Sequence, residues 1–199
     1  MSTLSKAYLT PEQYLEIDRK AERKSEYFAG EMYVMSGARR AHNVIAANAI
    51  RELGNQLLDG PCEIYPSEMR VKVGESGLHT YPDIAIVCGE PKLVDDAFDT
   101  LLNPIVLVEI LSESTEVYGR TTKFELYGAL DSLQEYVLIS SLRPSLERYT
   151  RRPDGTWNYA AKTAPEDSIE LKSVNCRLRV ADVYRKVEFA KMPPRMREL

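Results

Sequence analysis

The run "NPIVLVEILSEST", from Asn103 to Thr115, sets an acid, Glu109, inside the most apolar stretch of the chain. An ionised carboxylate in the interior of a strand is costly, so it must neutralise, pair with a cation or bind a metal. Two other groups are candidates to share it. Asp83, in "HTYPDIAIVCGE", follows Pro82 and leads a second apolar run; it lies 109 − 83 = 26 residues earlier, enough for an intervening strand or loop. Lys123, in "GRTTKFELYGAL", has the helical spacing that puts it on one face with Leu126, Tyr127 and Leu130, toward the core. Two carboxylates at neighbouring strand positions repel each other unless a cation lies between them, and hard cations such as Mg2+ favour oxygen ligands. Two acids, a lysine and a divalent cation are the parts needed to hydrolyse a phosphodiester. The cation polarises the phosphate and acidifies its bound water, while the ammonium orients the nucleophile or steadies developing charge. The same residues also permit a plainer arrangement, a buried Glu109–Lys123 ion pair with no chemistry to perform.

These side chains meet only if particular elements carry them. "LTPEQY" signals a helix start: Thr10 caps, Pro11 takes the first helical position, Gln13 completes a capping box, and Leu9 with Tyr14 forms a hydrophobic staple. This predicts a first helix from Pro11 to about Ala21. "SEYFAGEMYVMSG" alternates around Ala29-Gly30 and predicts a short hairpin. In "AHNVIAANAIRELGNQLLDG", Ala46, Ile50, Leu53 and Leu57 form a helical stripe ending near Gly60. From Cys62 onward come short β-rich runs, "EIYPSEMRVKV", "DIAIVCG", "PIVLVEIL", "EYVLIS", "LERYTR" and "TWNYAAK", interrupted by one helix at about Arg120 to Leu130. "RPDGT" joins two of these runs through a turn at Asp154-Gly155. Alternation along the run around Glu109 puts Ile105, Leu107, Glu109 and Leu111 on one face and Val106, Val108 and Ile110 on the other. Helices that precede and interrupt a mixed sheet predict an α/β or α+β sandwich, with the strands around Ala85 and Val106 central and covered on both faces.

With 199 residues, 44% hydrophobic and 28% charged, the chain suits one globular domain over residues 1–189, followed by a proline-containing surface tail at 190–199. The longest uninterrupted apolar run near the acid is far too short to span a bilayer, and the first residues lack the apolar block of a secretory signal. A cytoplasmic protein without a membrane partner is expected. Cys62, Cys88 and Cys176 are odd in number and widely spaced, which suits reduced structural thiols. A net charge of −4 gives no general attraction to nucleic acid, so such binding needs a local basic surface. Candidates are Arg39 with Arg40, the stretch from Arg148 to Arg152, and the end of the chain from Lys186 to Arg197. Tyr127, Tyr136 and Trp157 could stack on bases, although aromatic residues at core spacing are more often core.

Pro82-Asp83, Glu109 and a nearby lysine resemble the PD-(D/E)XK superfamily of nucleases. The ordered motifs "SEYFAGEMYVMSG", "AHNVIAANAIRELG", "YPDIAIV", "LVEILSEST", "RTTKFELY" and "EYVLIS", spread from about Tyr8 to Val187, resemble the Uma-two family of proposed restriction endonucleases within it. The resemblance implies a restriction-endonuclease-like core, a mixed β-sheet flanked by helices, with additional β-hairpins. It implies that Asp83 and Glu109 ligate Mg2+ or Mn2+, and that Lys123 takes the part of a lysine usually found two residues after the second acid, where this chain has Leu111. Glu26 resembles the early acid of the family's hairpin, and His42 matches its histidine at the start of the second helix. The chain departs from the pattern at Glu113, where proline is common, at Gly119, where aspartate is frequent, and at Val137 and Ser140, which replace a tryptophan and an aspartate. The implied function is metal-dependent endonuclease cleavage of DNA, by a homodimer if both strands are cut. The alternatives are a nucleic-acid-binding protein without turnover and a purely structural dimer on the same fold.

Overall fold

A computed structural model describes residues 8–74 and 77–189. Helix α1 (Pro11–Asp18) begins with the expected capping box, in which the Thr10 side chain accepts from the Gln13 amide and the Gln13 side chain accepts from the Thr10 amide. It ends three residues before the expected Ala21, because Asp18 is fixed by the Ser25 amide and the Arg70 guanidinium. Strands β1 (Ser25–Phe28) and β2 (Glu31–Val34) form the expected hairpin. Ala29 and Gly30 both have positive φ, 49° and 87°, the geometry that a two-residue turn requires. Helix α2 (Arg40–Leu57) follows. Its most buried apolar line is Ile45, Ala49, Leu53 and Leu57: the last two are as expected, but in the first half Ile45 and Ala49 take the place of Ala46 and Ile50, which are only partly buried. The same face buries Asn48, whose amide donates to the carbonyls of Val183 and Arg185.

The remaining strands are β3 (Cys62–Pro66), β4 (Arg70–Val73), β5 (Leu78–Thr80), β6 (Ile84–Cys88), β7 (Thr100–Leu101) and β8 (Val106–Leu111), then β9 (Glu135–Ser140), β10 (Leu146–Arg151), β11 (Trp157–Lys162), β12 (Ser168–Leu171) and β13 (Cys176–Arg179). Six strands make the main sheet, in the order β11-β10-β9-β8-β6-β3. Within it β8 and β9 are parallel and the other neighbours antiparallel. A second sheet has the order β2-β1-β5-β4-β7, and β12 pairs with β13. The run read as "EIYPSEMRVKV" therefore breaks after Pro66 and feeds two different sheets. The crossover from β8 to β9 contains α3 (Glu116–Tyr118), a π-helical turn (Gly119–Lys123) and α4 (Phe124–Tyr127).

Alternation on β6 and β8 divides the interior as expected. Ile84, Ile86, Val106, Val108 and Ile110 pack under α2, the β12–β13 hairpin and α5 (Val180–Val183). Ala85, Val87, Leu107 and Leu111 face the second sheet and α4. The main sheet is thus covered on both faces, and this mixed α+β architecture sets Glu109 between the two sheets. Reduced thiols are not what the structure has at Cys62 and Cys88. The two cysteines are register partners across β3 and β6 and form a disulfide, a pairing that their separation in sequence conceals. Cys176 is free and buried. Among the described residues no helix is long and apolar enough to cross a membrane. The tail expected at 190–199 lies outside the described residues.

Candidate active site

Glu109 is only 8% exposed and Lys123 only 7%. The π-helical turn shapes the approach of the crossover to the sheet. At Gly119 an added Cβ would lie 2.5 Å from Leu111 Cδ2, so the missing side chain lets the turn sit close against β8. From the end of that turn the Lys123 ammonium reaches Glu109 Oε1 at 3.0 Å and Glu26 Oε1 at 2.8 Å. Tyr127, one helical turn further on, donates its hydroxyl to the same Glu109 oxygen at 2.7 Å. Thr80, at the end of β5, donates to Glu26.

Asp83 arrives from the other side. Pairing of β6 with β8 reaches Ile84↔Val108, so Asp83 and Glu109 occupy the next rung. There the Asp83 carboxylate accepts the Ile110 amide at 2.7 Å, while its second oxygen lies 3.1 Å from His42 Nε2. His42 stands in the first turns of α2, and its Nδ1 is buried without a hydrogen-bond partner. The five residues singled out in the sequence, Asp83, Glu109, Lys123, Glu26 and His42, are therefore joined by direct contacts into two adjacent sets. Sequence reasoning missed Thr80, for which spacing offers no signal. It placed Tyr127 on the inward face beside Lys123 but not its hydrogen bond to Glu109.

The charges do not balance. Two carboxylates, those of Glu26 and Glu109, share the Lys123 ammonium, and the charge of a third, Asp83, also bears on Glu109. Burial pushes the Glu109 carboxyl up to about 7; Lys123 and the Tyr127 hydroxyl oppose the rise, while Asp83 and Glu26 add to it. Burial also disfavours the Lys123 ammonium, yet Glu109 and Glu26 outweigh it and raise its pKa. The partners thus shift in ways that look contradictory for an ion pair. They agree once the stoichiometry is counted, because the lysine has two acids to serve it, whereas Glu109 shares its only ammonium and faces two like charges. At His42 burial works against the charged ring, but the hydrogen bond to Asp83, with the charges of Asp83 and Glu109, raises its pKa overall.

Among the described residues no group of three or more His, Cys, Asp or Glu is arranged to hold a metal ion. Mg2+ commonly takes one or two carboxylates and keeps several waters, so Asp83 and Glu109 supply a fitting donor set without a third protein ligand. The surplus of negative charge at a buried carboxylate fits the same ion. Each carboxylate oxygen that already accepts a hydrogen bond retains a second lone pair for it.

The fold is similar to the crystal structure of a "putative nuclease belonging to DUF820" from Anabaena variabilis, with a TM-score of 0.73 and 17% identity over 88% of this chain and 97% of that one. Two uncharacterized proteins of Synechocystis sp. are similar in sequence. One is 35% identical over 184 residues, covering 91% of this chain and 94% of its own. The other is 34% identical over 149 residues, covering 75% and 84%. A family profile described as "Putative restriction endonuclease" matches residues 11–181, which include all five residues of the site. On the strength of that match and of these relatives, the chain belongs to the Uma2 family.

Proposed function

We propose that this protein is a metal-dependent endonuclease that hydrolyses DNA phosphodiester bonds, with Asp83 and Glu109 as ligands of Mg2+ or Mn2+. The observation that supports this most is the excess of acid: Glu26 and Glu109 share one ammonium, and Asp83 adds a further negative charge that, with burial, raises the Glu109 pKa. When bound, the cation supplies Lewis-acid polarisation of the phosphate and acidification of a water. The chain's own groups do the rest. Lys123 stays an ammonium because Glu26 and Glu109 raise its pKa, so it cannot serve as a base. It orients the attacking water and steadies charge on the phosphoryl oxygens. Glu26, held by Thr80, fixes the lysine from its far side, and Tyr127 keeps Glu109 turned toward it. His42 and the Ile110 amide set the Asp83 carboxylate, the second-layer support that metal ligands commonly need. In this reading residues 1–189 act as one domain, and a homodimer supplies two such sites when both strands are cut.

The test is nicking of supercoiled plasmid in Mn2+ by the parent protein and by Glu109→Ala and Lys123→Ala. The parent should nick, and each variant should be slower by about 10²–10³-fold or more, the usual cost of removing a group that stabilises transition-state charge. Equal nicking by all three proteins overturns the catalytic assignment. Metal uptake without nicking would favour the non-cleaving nucleic-acid-binding alternative.

A further inference from the structure

Two exposed aromatic rings border the acidic site, and the proposed chemistry leaves them without a task. Tyr33 on β2 is the direct cross-strand partner of Glu26 on β1, so the two side chains share a face of the hairpin. Tyr33 is 51% exposed, and its hydroxyl donates to Glu31 on its own strand. Tyr118 closes α3, five residues before Lys123. Its ring centroid lies 5.8 Å from the Lys123 ammonium, and it is 37% exposed. Its hydroxyl is pushed up first by burial and then by Glu26, with Glu109 and Tyr33 contributing, so Tyr118 shares a neighbourhood with both acids and with the other ring. Val117, beside it, is 75% exposed.

The aromatic residues that the sequence offered for stacking on bases are committed elsewhere. Tyr127 and Tyr136 are fully buried, and Trp157 packs edge-on against Phe124 at 5.4 Å between ring centroids. The charge of the chain sharpens the question of what holds a substrate here. At −4 overall, and with three carboxylates at the site, phosphate neutralisation is a poor source of affinity. Stacking of a base on an aromatic ring carries no such requirement, but it is open only to a base that has left the duplex stack.

We propose that Tyr33 and Tyr118 stack on an unpaired nucleobase beside the phosphate held over Glu26, Lys123 and Glu109, so that the preferred substrate is single-stranded or locally unpaired DNA. This rests on the nuclease reading for the nature of the ligand and adds to it the substrate class.

Fluorescence anisotropy tests it, with Ca2+ replacing Mn2+ to separate binding from cleavage. The probes are a labelled single-stranded 20-mer, the same strand in a duplex, and the same strand with abasic positions at its centre. The parent should bind the normal single strand roughly tenfold or more tightly than the duplex or the abasic strand. Tyr33→Ala and Tyr118→Ala should each erase most of the difference between normal and abasic strands. Tyr33→Phe and Tyr118→Phe should keep it, since the ring remains and only the hydroxyl is lost. Equal affinity of the parent for normal and abasic strands, unchanged discrimination in both alanine variants, or no binding of any probe overturns the proposal. Plasmid nicking reads the chemistry separately. Nicking without base discrimination sinks the stacking alone, whereas tyrosine-dependent discrimination without nicking sinks the catalysis alone.

Discussion

The carboxylates of Asp18 and Glu109 are both withdrawn from solvent, yet their surroundings follow opposite rules. Asp18 meets one guanidinium, Arg70, at 2.9 Å, and its oxygens also accept from the Ser25 amide and the Tyr81 hydroxyl. Arg70 in turn binds Thr100 at 2.7 Å and Asp99 at 3.2 Å, while Arg19 ties Asp99 and Asp95 together at the edge. This network joins α1, β1, β4 and β7; two guanidiniums serve three carboxylates, but only Asp18 is deeply buried, and it is matched by the equally buried Arg70, while Asp95 and Asp99 lie toward solvent. Around Glu109 the one ammonium is shared with a second acid, Glu26, and burial together with the charges of Asp83 and Glu26 raises the Glu109 pKa. The chain's two histidines divide in the same way. His79, fully buried against Tyr14 and Tyr27, is pushed down to about 4, chiefly by burial. His42 is raised by Asp83 despite its burial. A matched cluster holds elements together; an unmatched one has charge left over for a ligand.

The comparison can be broken first at its matched end. Arg70→Met leaves Asp18 buried without its cation and should cost about 3–5 kcal/mol of unfolding free energy in urea titrations. A loss below about 1 kcal/mol would mean that the network does not clamp the fold. His79 gives the next effect. Its folded pKa lies below the unfolded value of 6.5, so the unfolded chain takes the proton first as pH falls. The stability due to a neutral His79 is complete above 6.5 and declines toward pH 4, by roughly 3 kcal/mol. His79→Phe should flatten that part of the stability–pH profile, and an unchanged slope would contradict the assignment.

The unmatched end predicts smaller and oppositely signed changes. Lys123→Met should cost less than Arg70→Met, because Glu109 can neutralise itself by taking a proton. Its cost should shrink as pH falls below 7; a pH-independent cost would argue for a simple ion pair. Glu109 has a folded pKa raised above its unfolded value, so its contribution is fully present below about 4.5 and is lost as pH rises through about 7. Without added metal, Glu109→Gln should therefore melt at or above the parent at pH 8, and a clearly lower melting temperature would oppose the account.

Much of this contrast was legible in the chain itself. Strand alternation around Glu109 and the helical phase of Lys123 hold because each is a local periodicity that a packed core enforces, and Asp83 meets Glu109 because the two apolar runs pair. The α1 capping box and the turn at Ala29-Gly30 are equally local. The matched cluster was not foreseen, since Asp18 and Arg70 lie 52 residues apart and only the second sheet brings them together. The Cys62–Cys88 bond and the split of β3 from β4 depend on strand order in the same way, which spacing does not encode. The shift in the first half of the α2 stripe, from Ala46 and Ile50 to Ile45 and Ala49, accompanies Asn48, a polar residue buried where Val183 and Arg185 present carbonyls to it.

The central claim is that the acid surplus around Lys123 accommodates a divalent cation. Calorimetric titration with Mn2+ at pH 6.5, in buffers of different ionisation enthalpy, reads that directly. The account predicts saturable uptake with proton release, as a partly protonated Glu109 gives up its proton, and loss of that uptake in Asp83→Asn and Glu109→Gln. Absence of uptake by the parent, or uptake that both variants retain unchanged, would contradict it.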